Sequence, residues 1–173
     1  MNSKLESRED FGRFLNNLQL NQYGVELGVA QGYFSESLLE NSNLKILFSI
    51  DRWTDHHDYD EYLVAKEKLS KYNERSVILK LKFKDAVKLF DDEIFDFIYI
   101  DGYAHTGQDN GIILKDWWPK LKPNGIFAGH DYCIKTYPKT VEQVDKFATR
   151  HQLKLNFTKE KEYTSWYCIK EKK

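Results

Sequence analysis

Val25-Glu26-Leu27-Gly28-Val29-Ala30-Gln31-Gly32-Tyr33-Phe34-Ser35 decides how this chain is read. A β-branched and apolar run ends at two glycines four positions apart, and a segment of helical period follows at once. Glycine permits a sharp turn and lets a ligand approach the backbone without a Cβ in the way, so the stretch reads as strand, tight turn and helix. A turn that needs both glycines for its own packing reads equally well. The dinucleotide pattern Gly-x-Gly-x-x-Gly fails here, with Glu26 at its first glycine and Gln31 at its third. The failure has a physical meaning: a glutamate beside the loop repels a pyrophosphate and attracts a ligand that carries positive charge.

The same alternation continues on the carboxyl side. Strands are expected at residues 23–29, 45–50, 76–81, 95–100 and 126–129, and helices at 32–39, 59–72, 84–90, 111–118 and 140–150. Lys122-Pro123-Asn124-Gly125 reads as a turn before the fifth strand. Two alternating runs, 154–158 and 165–169, are joined by a short polar link and are expected to pair antiparallel at a sheet edge. The predicted fold class is α/β, a three-layer Rossmann-like sandwich with a mostly parallel seven-stranded sheet and a C-terminal antiparallel hairpin. Ahead of it, residues 1–21 hold a helix with Phe11, Phe14, Leu15 and Leu18 on one face and Ser7 with Asp10 as a capping pair. That helix is expected to be a lid over the acceptor pocket or a dimer contact, and residues 22–173 form the single domain.

Composition narrows the partners. The chain has 173 residues, and 26 Lys and Arg offset 27 Asp and Glu for a formal charge of -1, with charges dispersed along it. No positive stripe suits nucleic acid or a membrane surface. Apolar residues at 41% are enough for one packed core, and their runs are short, which argues for neither a transmembrane helix nor a secretory signal. Cys133 and Cys168 make no disulfide framework and lack metal-site spacing. A cytoplasmic protein is expected, with a small-molecule partner and a possible homodimer.

In such sheets ligands lie beyond the carboxyl ends of the strands, so those residues carry the chemistry. Asp51 closes the second strand, 19 positions after Gly32, where a carboxylate accepts from two ribose hydroxyls. Trp53 either covers a purine face or packs at an edge. Asp85, after the third strand, either accepts from an exocyclic amine or caps the next helix. Glu26, Asp51 and Asp85 together describe a nucleoside with a cationic tail, which is S-adenosyl-L-methionine.

These residues resemble a family. Residues 25–32 look like the first motif of the class I S-adenosylmethionine-dependent methyltransferases, and Ile50-Asp51 like the second. Residues 95–102 and 120–126 look like the fourth and fifth blocks, and the likeness runs in order from about residue 22 to 170. It implies that Glu26 and Gly28 hold the methionine part, Asp51 the ribose and Asp85 the adenine, with Gly32, Arg52 and Asp101 also among the cofactor-binding residues.

Strand four ends in Asp101-Gly102-Tyr103-Ala104-His105 and strand five in Gly129-His130-Asp131-Tyr132. The pattern resembles the small-molecule O-methyltransferase branch, the macrocin and mycinamicin type and more distantly the catechol type, which hold magnesium at these strand ends. That implies a divalent cation (Mg²⁺) on Asp101 and Asp131, although His130 stands where many metal-dependent members have another acidic residue. The catalytic set is Asp101, His105, His130 and Asp131, with His105 or His130 as general base. A structural account of His130 bonded to a carbonyl and Asp131 capping a turn stands beside it. His56 and His57, in a polar loop without a partner at metal spacing, read as surface residues. Tyr33, Trp53, Tyr103, Tyr132 and Tyr137 read as an apolar lid, and Trp117 and Trp118 as packing residues. The expected activity is methyl transfer to a hydroxyl of a sugar or secondary metabolite. The alternatives are a catalytically inactive cofactor-binding scaffold and an NAD-dependent oxidoreductase.

Overall fold

The computed structural model describes residues 5–54 and 57–172. Phe95–Ile100, strand β4 in the numbering below, is buried at all six positions and lies in the middle of the sheet. In chain order the strands are β1 (Tyr23–Leu27), β2 (Ile46–Asp51), β3 (Ser76–Lys80), β4, β5 (Leu121–Gly129), β6 (Asn156–Phe157) and β7 (Trp166–Ile169). They form one sheet in the order β3-β2-β1-β4-β5-β7-β6. The β1·β2, β1·β4, β2·β3 and β4·β5 pairs are parallel, and β7 is antiparallel to both β5 and β6.

Winding outward from β1 to β3 and then back to β4 leaves a switch point between the carboxyl ends of β1 and β4. Helix α1 (Phe11–Asn17), α2 (Tyr33–Asn41), α3 (Tyr59–Ser70), the single turn α4 (Phe83–Ala86) and the helices Ile112–Trp117 and Pro138–His151 cover the two faces. Side chains alternate along β4, so Ile98 and Ile100 face Trp117 and Val144 while Phe97 and Tyr99 face α1 and α2.

The amino-terminal segment belongs to this core. Phe11 and Leu15 are fully buried, and the Phe11 ring lies 5.4 to 5.7 Å from the rings of Phe97, Tyr99 and Tyr167. Truncating such a buried phenylalanine costs about 3–5 kcal/mol, so α1 is held by the core and not merely laid upon it.

Two local expectations differ from the structure. The fifth strand begins at Leu121, because its register against β4 shifts between Phe95 and Phe97 and the expected turn becomes an irregularity inside the strand. There Asn124 N–H donates to the Lys170 carbonyl at 2.6 Å, so the segment keeps a sheet partner. The expected helix 84–90 is a helical turn followed by the 3-10 turn Val87–Leu89. Residues 107 to 111 all have positive φ, one left-handed turn between His105 and the helix Ile112–Trp117. Among the described residues no helix is long and apolar enough to cross a membrane, and Cys133 and Cys168 are free thiols.

Candidate active site

On the β1 side, Glu26 is 1% exposed and accepts a hydrogen bond from the Ser35 hydroxyl, which also lies 2.8 Å from Ser49 Oγ. Burial pushes the Glu26 carboxyl up to about 8 against the lowering effect of Ser35. The expected standing negative charge is therefore opposed by burial, which favours the neutral acid. Gly28 follows at φ +98, where an added Cβ would sit 2.6 Å from the Asp101 carbonyl carbon. The packing reading of this glycine is what the close contact with Asp101 supports.

Asp51 ends β2 with its carboxylate already engaged. Oδ2 accepts from Val29 N–H at 2.8 Å, Ala30 N–H at 3.2 Å and His57 Nδ1 at 2.6 Å. Oδ1 accepts from Arg52 N–H at 2.6 Å and Trp53 N–H at 3.1 Å. Burial works to raise the Asp51 pKa, but the bonds from His57 and the backbone outweigh it and hold the group below its ordinary value. The same bond raises the His57 pKa. His57 is thus half-buried and bonded to Asp51, where a surface residue was expected. His56 lies outside the described residues.

On the acceptor side, His130 Nδ1 is 3.3 Å from both Asp101 Oδ1 and Asp131 Oδ1. Burial lowers the imidazole pKa, yet its bonds to Asp101 and Asp131 prevail and it is pushed up to about 9. Asp101 Oδ2 in turn accepts from Arg8 Nη1 at 2.8 Å. The expected carbonyl partner of His130 gives way to these carboxylates.

Two chambers open between these groups. One of about 430 Å³ runs from Gly28 and Asp51 past Leu81, Lys82 and Phe83 to Tyr103, His105 and Tyr137, and Arg52 and Trp53 also line it. The other, about 330 Å³, lies over the glycine loop between Arg8, Glu26 and Tyr33. Gly28, His57 and Asp101 line both. Asp85 is exposed and pairs with Lys88 at 3.1 Å, whereas residues 81–83 beside it line the larger chamber. Trp53 is 2% exposed, donates Nε1 to the Ala30 carbonyl at 2.8 Å and braces the loop from behind. Tyr132 is drawn away by its bond to Asp145 at 2.8 Å and its packing on Phe157.

A family model described as a methyltransferase domain matches residues 25–132, more than half of the chain and all of the strand ends just described. The chain belongs to the class I methyltransferase family. No curated protein sequence matches it. Solved structures share the fold of this methyltransferase at low identity. A Staphylococcus aureus protein provisionally named a caffeoyl-CoA O-methyltransferase superposes with a TM-score of 0.74 at 18% identity, over 94% of this chain and 82% of its own. A Bacillus cereus O-methyltransferase in complex with SAH gives 0.67 at 16%, over 94% and 80%. The SAH-bound Podospora anserina methyltransferase gives 0.69 at 14%, over 96% and 78%.

Asp101, His130 and Asp131 of this methyltransferase present one ligand atom each within 4.8 Å of one another, which fits a divalent cation. Two carboxylates and an imidazole suit a transition metal better than Mg²⁺, which prefers oxygen ligands throughout. Sequence reasoning missed Arg8, His57, Ser35 and Ser49. Ser35 carried a signal, one helical turn past the glycine loop and on the side facing back to Glu26, whereas Arg8 carried none.

Proposed function

We propose that this protein transfers a methyl group from S-adenosyl-L-methionine to a hydroxyl of a small molecule, a sugar or a secondary metabolite. One observation carries the reading: the larger chamber runs from Asp51 and residues 81–83 to His105 and meets the glycine-loop chamber at Gly28 and Asp101, so the nucleoside and methionine parts of one donor can lie across the two with an acceptor beside His105. Asp51 receives the ribose hydroxyls once the His57 side chain yields its position, and residues 81–83 border the base. Asp101 and Glu26 face the ammonium of the methionine part, and Glu26 ionises as it arrives.

The sulfonium donor brings its own leaving group, so this chain has to align the reactants and take one proton. We assign the proton to His105. It lines the larger chamber, whereas His130 lines neither chamber. Tyr103 and Tyr137 line the same chamber and offer ring faces to the sulfonium. Asp101, Asp131 and His130 would hold a divalent cation, which when bound lowers the pKa of an acceptor hydroxyl. The small size of the chain, its dispersed charge and the named O-methyltransferases among the similar structures support a small acceptor over nucleic acid or a membrane.

Calorimetry with S-adenosylhomocysteine and with NAD tests the donor, and release of S-adenosylhomocysteine across a panel of hydroxylated acceptors tests the reaction. Preference for NAD overturns the reading in favour of an oxidoreductase. Binding of the nucleoside without turnover of any acceptor favours a non-catalytic scaffold.

A further inference from the structure

The amino-terminal segment places a cation in the chamber over the glycine loop, and nothing said so far gives it a task. Arg8 stands on the 3-10 turn Arg8–Asp10, closed by a capping box between Ser7 and Asp10. The turn is fixed at both ends. Leu5 is buried and its carbonyl accepts from Lys159 N–H at 3.0 Å, while Phe11 is buried on β4. The Arg8 guanidinium is therefore aimed by the core, and its carbon lies 5.2 Å from the centre of the Phe34 ring.

Its Nη1 donates to Asp101 Oδ2 at 2.8 Å, and among the described residues this is the one hydrogen bond the guanidinium makes. The contact to Glu9 is longer, at 3.6 Å. A guanidinium has five N–H donors in a fixed fork, so this one keeps donors for a further acceptor. It lines the chamber together with Glu26, Asp101 and the backbone of Gly28 to Gln31.

Apart from the Tyr33 phenol, the titratable groups lining that chamber are the carboxyls of Glu26, Glu61 and Asp101, the His57 imidazole, which is bonded to Asp51, and the Arg8 guanidinium. An α-amino acid carries the complementary set, an ammonium and a carboxylate on one carbon. A plain adenosine derivative gains nothing from Arg8, and a simple cation is repelled by it. We propose that Arg8 binds the carboxylate of the methionine moiety of the cofactor while Asp101 and Glu26 take its ammonium, so that the amino-terminal turn completes the donor site. The inference rests on the donor assignment above and adds to it the residue that reads the amino-acid end.

The test compares ligands with and without that carboxylate. S-adenosylhomocysteine, its decarboxylated analogue and 5′-methylthioadenosine are titrated calorimetrically into the wild-type chain, Arg8→Ala and Arg8→Lys. The wild type is expected to bind S-adenosylhomocysteine at least about tenfold more tightly than the decarboxylated analogue, the scale of a charge-assisted hydrogen bond. Arg8→Ala is expected to lose that preference while holding 5′-methylthioadenosine within about twofold of wild type, and Arg8→Lys to keep part of it.

Equal loss for all ligands in Arg8→Ala means that Arg8 only supports the fold, and overturns the inference. Equal wild-type affinity for S-adenosylhomocysteine and its decarboxylated analogue overturns it as well, with no variant needed. If the wild type binds none of the three, the donor assignment itself fails and takes this inference with it.

Discussion

Replacing Glu26 with glutamine isolates the energetics of the buried acid. The carboxyl goes from an ordinary 4.5 to about 8 in the folded chain, chiefly through burial. Below pH 4.5 both states are protonated and the acid costs nothing. Between 4.5 and about 8 the unfolded chain ionises while the folded chain does not, so stability falls as pH rises and levels off above the folded value. At about 1.4 kcal/mol per pKa unit the loss is roughly 3 kcal/mol at pH 7 and roughly 5 kcal/mol above pH 8. Glutamine does not titrate, and its oxygen can still accept from Ser35. Its extra amide donors cost on the order of 1 kcal/mol where they find no partner. Glu26→Gln should therefore match or fall slightly below wild type at pH 5 and exceed it by several kcal/mol at pH 9. Urea unfolding at pH 5, 7 and 9, extrapolated linearly to water, measures this directly. A difference between variant and wild type that stays constant from pH 5 to 9 refutes the reasoning, because it means that Glu26 is ionised in the fold. The same logic requires S-adenosylhomocysteine binding near pH 7 to release a proton from Glu26. That release appears as a dependence of the calorimetric enthalpy on buffer and is missing in Glu26→Gln.

Asp51→Ala should weaken nucleoside binding by about 1–3 kcal/mol, and unchanged calorimetric affinity would remove Asp51 from the donor site. Because Asp51 also holds Val29 and Ala30 N–H, the variant should lower the unfolding midpoint too, and a midpoint equal to wild type contradicts the bonding described. His57→Ala should bind S-adenosylhomocysteine more tightly at pH 6, by about tenfold at most for so accessible a partner. The gain should shrink as pH rises through the raised His57 pKa, and an equal gain at pH 6 and 9 argues that His57 does not compete for Asp51. Asp131→Asn should abolish turnover and leave nucleoside affinity intact, and retained turnover dismisses Asp131 from the acceptor side. Activity that survives exhaustive EDTA treatment argues for proton removal by His105 alone.

The architecture was legible because parallel strands buried on both faces leave continuous apolar runs such as Phe95–Ile100, and the intervening helices leave a different period. Strand ends were legible for the same reason, so Glu26, Gly28, Asp51, Asp101, His105, His130 and Asp131 could be named from their positions. What those groups bond to was not. Arg8 and Asp101 stand 93 positions apart, and no local pattern links them. The push of Glu26 toward the neutral acid arises from burial, which residue type alone does not report. The expected acidic pocket is a set of carboxyl groups each already met by a partner: Asp51 by His57, Asp101 by Arg8 and His130, and Glu26 by Ser35. Asp85 was named from its position in the chain, which does not report its pairing with Lys88 on the exposed side of α4.

At Gly28 the peptide leaving the first strand rests directly on the peptide leaving the fourth. The span across which a methyl group must travel is thus gauged by main chain against main chain, and side chains at the rim do not set it. A spacer of a single carbon at this point forces the two turns apart, and about an ångström of misalignment can cost about a hundredfold in rate. Changes in loops 102–110 and 131–139 that keep Gly102, His105 and Asp131 leave this main-chain gauge in place.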